Sequence, residues 1–307
     1  MKHQKKLLAA AAGSALILCL SISAPAWAAS EPEPGDALEL LLAAEPEFAD
    51  NIALTTADST QLQGVEVSVK DATISLDSAD GGFSVEAPEA TQSSSVTPVL
   101  LENAEALFAI QLDAPDAPTR YDFPVDLPEG GTYEFLENGG LVFLNETGDY
   151  IGGVAPPWAK DVNGIDVPTW FTYDNQTLTQ HVDTGGLVAA DFPVIADPYM
   201  GKWLISAAWV TYEQSDPSRY KINATPTQYG RDLGSQGGQA YFSYHLADLK
   251  SRLGSNASKI NDTITNQFFC HVAYNKQGGG DTYNLESWTP SHGWNSPVML
   301  LARCNPS

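Results

Sequence analysis

The chain has 307 residues, with 38 acidic and 15 basic side chains, a formal net charge of −23 and a sequence pI near 4.3. This length is enough for two domains, and the charge divides the chain: residues 29–200 carry 31 acidic and three basic side chains, whereas residues 201–307 carry seven and nine. The acidic part excludes nucleic acid as its partner, because phosphates would be repelled. It is either a solvated surface or one that docks a cationic surface, such as that of the second part.

Residues 1–28 have the pattern of a secretory signal peptide. Three lysines among the first six residues precede an uncharged run, 7–24, and Ala26-Trp27-Ala28 is a small-x-small cleavage site. The run is long enough to span a bilayer, but Pro25 and the cleavage site favour removal. Cys19 is not preceded by a lipobox. We therefore expect a secreted protein with no membrane attachment after cleavage.

Residues 29–63 are predicted to be a linker followed by a short helix. Glu31–Gly35 has the composition of a linker, and Asp36 is a candidate cap for a helix that follows it. The apolar face of this helix includes Leu38, Leu41 and Leu42.

Residues 64–198 are predicted to be an acidic, β-rich domain with the architecture of a sandwich. Apolar residues alternate along short segments separated by turn residues, and helical periods are absent. The segment Pro88–Pro98 is rich in Ser, Thr and Pro and is predicted to be a loop. Three hairpins are predicted, from Val65–Val69 to Ile74–Leu76, from Thr132–Phe135 to Leu141–Leu144 around Asn138-Gly139, and from Thr169–Tyr173 to Thr177–Val182.

One loop in this region resembles a calcium loop in composition but not in spacing. Asp161, Asn163 and Asp166 surround Gly164. An EF-hand loop needs its glycine at the sixth position, whereas here it is the fourth residue. A turn is therefore the prediction, and we assign no metal.

Residues 199–307 are predicted to be a small, aromatic-rich α+β domain. The patterns indicate a strand at Tyr220–Thr225, a helix at Phe242–Leu253 and a short helix from about Asp262 to Phe268. They also indicate strands at Phe269–Tyr274 and Thr282–Trp288, and a last helix capped by Ser296 that runs to Cys304.

Two cysteines remain after the predicted cleavage, Cys270 and Cys304. Cysteines in an exported chain usually pair, so one disulfide is expected. The alternative, a pair of metal-binding or reactive thiols, lacks a further Cys or His at ligand spacing.

Blocks of sequence in both parts carry a family resemblance. Those of the second part are Tyr220–Thr227 with Gly230-Arg231, Gln267–His271, Tyr283–Pro290 and Cys304–Pro306. These four blocks are similar to a C-terminal domain of unknown function found in secreted proteins of high-GC Gram-positive bacteria. Tyr283 stands where the pattern often has Trp, and Thr289 where it has Arg.

The blocks of the acidic part are Arg120–Pro124, Gly152–Trp158 and Pro193–Pro198. They resemble a region that precedes varied domains in such proteins. The resemblance supports secretion, the boundary near residue 200 and the disulfide, and it implies no activity.

The candidate binding residues lie in the second part. No nucleophile elbow, His-Glu-x-x-His or phosphate loop is present, so we assign no catalytic residue and no cofactor. On a strand, alternate side chains share a face, and the residue types suit a sugar- or peptide-binding strip, or an acid/base pair of His with Glu. Packing and turn roles are the alternative. The candidates are His271, Asn284, Glu286, Trp288, His292 and Trp294.

These features predict a binding or interaction module that acts at the cell envelope or in the medium. Its expected partner is a cell-wall polymer or another secreted protein. The alternative is a secreted enzyme or toxin-like domain with an acidic pro-domain, released by cleavage near Asp197-Pro198.

Overall fold

The structure is a computed structural model, and it describes residues 34–49, 52, 58–234, 241–274 and 281–306. The predicted signal peptide, Cys19 within it and residues 29–33 lie outside the described residues.

The first part begins with a helix, and strands follow. Helix α1 spans Pro34–Ala44, and short 3-10 turns span Pro46–Phe48 and Ala189–Asp191. The strands are β1 (Ser59–Leu62), β2 (Val65–Lys70), β3 (Thr73–Ser78), β4 (Phe83–Glu86), β5 (Ser94–Leu101), β6 (Glu105–Leu112), β7 (Arg120–Asp126), β8 (Thr132–Phe135), β9 (Leu141–Leu144), β10 (Tyr150–Val154), β11 (Ala159–Lys160), β12 (Thr169–Asp174), β13 (Thr177–Val182), β14 (Val194–Ala196) and β15 (Tyr199–Gly201).

The second part mixes strands and helices. Its elements are β16 (Ile205–Tyr212), β17 (Tyr220–Pro226), α2 (Gln228–Gly234), α3 (Phe242–Leu253), a 3-10 turn (Gly254–Lys259), α4 (Asp262–Tyr274), β18 (Tyr283–Glu286) and α5 (Pro297–Leu301).

Within the described residues, the strands form three antiparallel sheets. A seven-stranded sheet has the order β1-β2-β3-β4-β7-β13-β12. An eight-stranded sheet has the order β11-β14-β6-β15-β10-β9-β8, with β5 also paired to β6. The third sheet has the order β16-β17-β18. The fold is thus mostly β with a few helices, as predicted.

The eight-stranded sheet lies between two hydrophobic cores. Phe108 and Ile110 of β6 pack into the first core, which this sheet shares with the seven-stranded sheet. Leu107 and Ala109 of the same strand pack into the second core, together with α1 and the helices of the second part. Strand β15 lies beside β6 in this sheet, so the sheet includes residues on both sides of the predicted domain boundary at residue 198. That boundary stays a prediction.

Several predicted elements are confirmed. The three hairpins are β2–β3, β8–β9 and β12–β13, and the predicted strand at Tyr220 and helix at Phe242 are β17 and α3. The cap of α5 is also correct, because Ser296 Oγ accepts a hydrogen bond from the Met299 amide at 3.3 Å. The helix itself is shorter than predicted: it ends at Leu301 rather than at Cys304, and Arg303 and Cys304 have positive φ angles of 49° and 68°, which do not continue a right-handed helix. Helix α1 is present, but it begins at Pro34, so Asp36 lies inside it.

Two further segments differ from the prediction. The predicted loop Pro88–Pro98 contains the start of β5. Among the strands that the structure describes, β5 pairs only with β6, so one of its edges is open and Pro98 is tolerated there. The predicted strand Phe269–Tyr274 is the second half of α4. Its buried residues Ile264, Phe268 and Val272 recur every four positions and cover one face of a helix.

The predicted disulfide between Cys270 and Cys304 is present. Both cysteines are buried and pack with Met299 of α5. The bond joins α4 to the segment after α5, across 34 residues of sequence.

Replacing both cysteines by serine, Cys270→Ser with Cys304→Ser, is expected to lower the free energy of unfolding by about 3–4 kcal/mol, because the unfolded chain regains loop entropy. Urea unfolding at neutral pH measures the change. A loss below about 1 kcal/mol would contradict this role.

Glu105 places a carboxyl group inside the second core. It is 0 % exposed and accepts hydrogen bonds from the Tyr199 hydroxyl and from the Tyr229 amide, the latter at 3.4 Å. No ion pair to Glu105 forms among the described residues. Burial raises the pKa of this carboxyl from 4.5 to about 8, so the side chain is neutral at pH 7.

Because the pKa of Glu105 is higher in the folded chain, its contribution to stability is complete below pH 4.5 and is lost as the pH rises towards 8. Over that interval the group lowers the free energy of unfolding by about 1.4 kcal/mol per pH unit. Glu105→Gln is expected to remove this slope, as measured by urea unfolding at several pH values. The exposed Glu102→Gln is the control and should keep the slope; an equal slope in Glu105→Gln would count against a neutral Glu105.

Candidate functional site

The three-stranded sheet has one face towards the helices and one towards solvent. Ile222, Tyr283 and Leu285 are buried in the second core. Because side chains alternate along a strand, the neighbouring positions point the other way. We call them the outer sheet face: Trp209, Thr211, Lys221, Asn223, Asn284 and Glu286, with Trp288 just beyond the end of β18.

Strand register arranges these side chains in two rows across the sheet. Trp209 is paired with Asn223, which is paired with Asn284. The second row lies two residues further along each strand. In it, Lys221 is paired with Thr211 on one side and with Glu286 on the other. The face therefore presents amide, hydroxyl, ammonium and carboxylate groups in rows on a regular surface.

Trp209 is the aromatic residue of the first row, and it is 45 % exposed. Next to it, Asn223 is only 7 % exposed, and its Nδ2 donates to the Thr211 hydroxyl at 3.2 Å. The candidate set from sequence omitted Trp209, because β16 was not predicted as a strand. The run Ile205–Tyr212 is rich in β-branched and aromatic residues, and this composition was the signal that would have found the strand.

Trp288 lies at the edge of the face beside two cations. The Arg219 Cζ atom is 4.9 Å and the Lys221 Nζ atom 5.6 Å from the centre of its ring. Lys221 also forms an ion pair with Glu286 at 3.6 Å. These contacts hold the indole ring in a half-buried position.

Three of the predicted candidates thus lie together, on or next to one face: Asn284, Glu286 and Trp288. The other three are placed elsewhere.

His271 is a packed residue of α4. It is 7 % exposed, and its ring stacks on Tyr283 with centres 5.0 Å apart. Burial lowers the pKa of its imidazole to about 4, so the ring is neutral at pH 7. The placement differs from the strand predicted for this segment.

Trp294 packs against the helices. Its ring contacts Phe242 edge-on at 5.0 Å and Tyr274 at 6.2 Å, and its amide donates to Asn266 Oδ1 at 3.0 Å. His292 is half-buried in the same connection, between β18 and α5.

The loop around Gly164 is a turn, as predicted. Asp161 Oδ1 accepts hydrogen bonds from the amides of Asn163 and Ile165, each at 2.8 Å. These bonds lower the pKa of the Asp161 carboxyl. Within the described ranges, no group of three or more His, Cys, Asp or Glu residues is arranged to hold a metal ion.

No helix among the described residues combines the length and apolar character needed to cross a bilayer.

Residues 205–307 match a family described as "Protein of unknown function (DUF2599)". The match begins at the first residue of β16 and includes the whole outer sheet face. This finding confirms the expected resemblance to a C-terminal domain of unknown function. No curated protein and no solved structure matches the chain.

The two tryptophans are expected to respond differently to truncation. Trp294→Ala should lower the free energy of unfolding by about 2–3 kcal/mol, because it removes a ring from a packed cluster. Trp209→Ala should change it by less than about 1 kcal/mol, because half of the ring is already in water. Thermal and urea unfolding of both variants provide the comparison. Equal losses would show that Trp209 is part of the core.

Proposed function

We propose that this protein is an exported binding protein whose outer sheet face holds a neutral carbohydrate strand of the cell envelope. The observation that carries the proposal is Trp209, an exposed indole ring beside rows of hydrogen-bonding side chains. The proposal keeps the binding role expected from the sequence and assigns it to a defined surface.

Export is supported by two independent features. Residues 1–28 have the charge, apolar run and cleavage site of a secretory signal. The Cys270–Cys304 disulfide fits an oxidising compartment outside the cytoplasm.

The chemistry of the outer sheet face suits a sugar. An indole ring offers a flat apolar surface for the C–H face of a pyranose ring. The side chains of Asn284 and Glu286 supply donors and acceptors for hydroxyl groups. Strand geometry repeats such positions at about 7 Å along a strand, which suits an extended chain better than a compact ligand.

Charge favours a neutral polymer over an anionic one. Residues 29–200 carry a large excess of carboxylates, which repels polyanions at a distance. On the face itself, Lys221 is paired with Glu286 and Arg219 is stacked on Trp288. Neither cation is available without breaking an existing contact.

No observation favours the alternative of an enzyme with an acidic pro-domain. His271 is buried and packed. The Asp197-Pro198 segment, expected as the cleavage point, lies between β14 and β15 and is buried, so a protease has no access to it in the folded chain.

The test is co-sedimentation of the full mature chain, residues 29–307, with isolated bacterial cell walls. The unaltered chain should pellet with the walls, and Trp209→Ala should weaken the apparent affinity roughly tenfold, equivalent to one lost stacking contact of about 1.4 kcal/mol.

Trp170→Ala is the matched control. Trp170 is 48 % exposed on β12 of the seven-stranded sheet, so its loss should leave sedimentation unchanged. Failure of the unaltered chain to pellet, or equal weakening by both substitutions, would refute binding through the outer sheet face.

A further inference from the structure

We propose that strand β8 is a docking site for a partner protein, whose basic, extended segment adds to β8 as a further antiparallel strand. The site shares no residue with the outer sheet face, and this inference does not rest on the carbohydrate proposal.

Strand β8 is the terminal strand of the eight-stranded sheet. It spans Thr132–Phe135, and among the described strands it pairs only with β9. All four of its residues are exposed, so no other part of the described chain covers it. An edge strand of this kind presents unpaired main-chain donors and acceptors, to which a strand of another chain can bind.

The hairpin that follows β8 shows which main-chain groups are free. The Leu136 amide donates to the Gly140 carbonyl at 2.8 Å. Hydrogen-bonded pairs alternate with non-hydrogen-bonded pairs along an antiparallel ladder, so Glu134 bonds to β9 whereas the N–H and C=O groups of Tyr133 and Phe135 point away from it. These groups are available to an added strand.

The side chains of the same two residues are aromatic rings at the edge of the first core. Tyr133 is 44 % exposed and Phe135 is 42 % exposed. They are paired with Phe143 and Leu141 of β9, which are buried in that core, so the rings continue its surface beyond the last buried strand. The centre of the Tyr133 ring is 4.4 Å from that of Tyr173 on β12, the terminal strand of the seven-stranded sheet. An added strand would cover this aromatic edge.

Strand β8 lacks the features by which edge strands usually avoid other chains. Such strands commonly carry a lysine, a proline, a bulge or an inward-pointing charge. The sequence of β8 has neither lysine nor proline, and its register with β9 is regular. Its inward-pointing side chains are the aromatic Tyr133 and Phe135. Exposed apolar side chains beside free main-chain groups are typical of a strand that binds another strand.

The charge around β8 determines which kind of segment fits. Glu134 is the charged residue of the strand, and Glu129, Glu137 and Glu146 are exposed in the connections that flank β8 and β9. No Lys or Arg occurs between residues 121 and 159, and no ion pair to these four carboxylates forms among the described residues. A second copy of the chain would place like charges opposite each other, which is unfavourable, whereas a basic segment complements them.

The register predicts the sequence pattern of the partner segment. Residues directly opposite each other on antiparallel strands lie on the same face. The residues opposite Tyr133 and Phe135 are therefore apolar, because they cover the aromatic rings, and the residue opposite Glu134 is Lys or Arg. The segment thus alternates apolar and basic residues.

The experiment is isothermal titration of the full mature chain, residues 29–307, with the peptide acetyl-Thr-Val-Lys-Val-Lys-Val-Thr-amide. Saturable binding is expected with a Kd below about 1 mM, and added salt should weaken it. The analogue with Glu in place of both Lys residues should bind at least about tenfold more weakly, because it places a carboxylate opposite Glu134.

Methylation of peptide nitrogens distinguishes strand addition from attraction by charge alone. The residues opposite Tyr133 and Phe135 direct their N–H groups to β8, so N-methylation of the valines should weaken binding more than about tenfold. The lysines direct their N–H groups to the far edge of the added strand. N-methylation of the lysines is therefore the matched control, and it should change the affinity by less than about twofold.

Variants of the chain test the two kinds of contact separately. Phe135→Ala should weaken the peptide about five- to tenfold, whereas Leu301→Ala, at an exposed leucine of α5, should leave its affinity unchanged. Glu134→Gln keeps an oxygen that can accept the 3.0 Å hydrogen bond from the Tyr244 hydroxyl, and it should weaken the peptide about two- to fivefold. Glu102→Gln, at an exposed glutamate between β5 and β6, is its control and should have no effect.

Absence of saturable binding up to about 1 mM, equal binding of the Glu analogue, equal effects of the two N-methylations, or an unchanged affinity in Phe135→Ala would each overturn the proposal. A dimer of the unaltered chain that Phe135→Ala dissociates, measured by sedimentation velocity, would assign β8 to a second copy and would also overturn it. Co-sedimentation of Phe135→Ala with cell walls should equal that of the unaltered chain, so failure here is distinguishable from failure of the carbohydrate site.

Discussion

The burial of strand β6 on both faces is the constraint on which the rest of the structure depends. Its alternate side chains enter two different cores, the even-numbered ones between the two large sheets and the odd-numbered ones beneath the helices. Removing either layer would expose a row of apolar side chains to water. This exposure costs about 25 cal/mol of folding free energy for each Å² of apolar surface. The segment 205–307 is therefore not only a C-terminal addition, because it covers a sheet that belongs to the acidic part.

Glu105 is the polar exception in this arrangement. A buried carboxyl is tolerated when it is neutral and hydrogen-bonded, and both conditions are met by protonation and by the contacts with Tyr199 and Tyr229. Tyr229 belongs to α2, whereas Glu105 and Tyr199 belong to the eight-stranded sheet. The hydrogen bonds thus give direction to an otherwise non-directional packing contact and fix the position of α2 on the sheet.

Sequence patterns correctly predicted the elements that have one solvent-exposed face and one buried face. The hairpins β2–β3 and β12–β13 and the helix α3 alternate at the expected periods, and the disulfide was predicted from the cysteine count together with the predicted export signal. Strand β6 is buried on both faces and so has no polar alternation, yet its run of apolar residues was strand-like and lies in the predicted β-rich region. The pattern fails in α4, where Phe268, Phe269 and Cys270 are consecutive and resemble a strand. The shared face of Asn284 and Glu286 was predictable from the sequence of β18 alone. To place Trp209 on the same face, β16 would also have had to be recognised as a strand of that sheet.

The proposed binding face follows from how the third sheet is covered. That sheet buries one face against α3 and α4, so its outer face makes no contribution to the second core. The exposed indole ring of Trp209 and the rows of polar side chains on that outer face are the observations on which the proposed binding role rests.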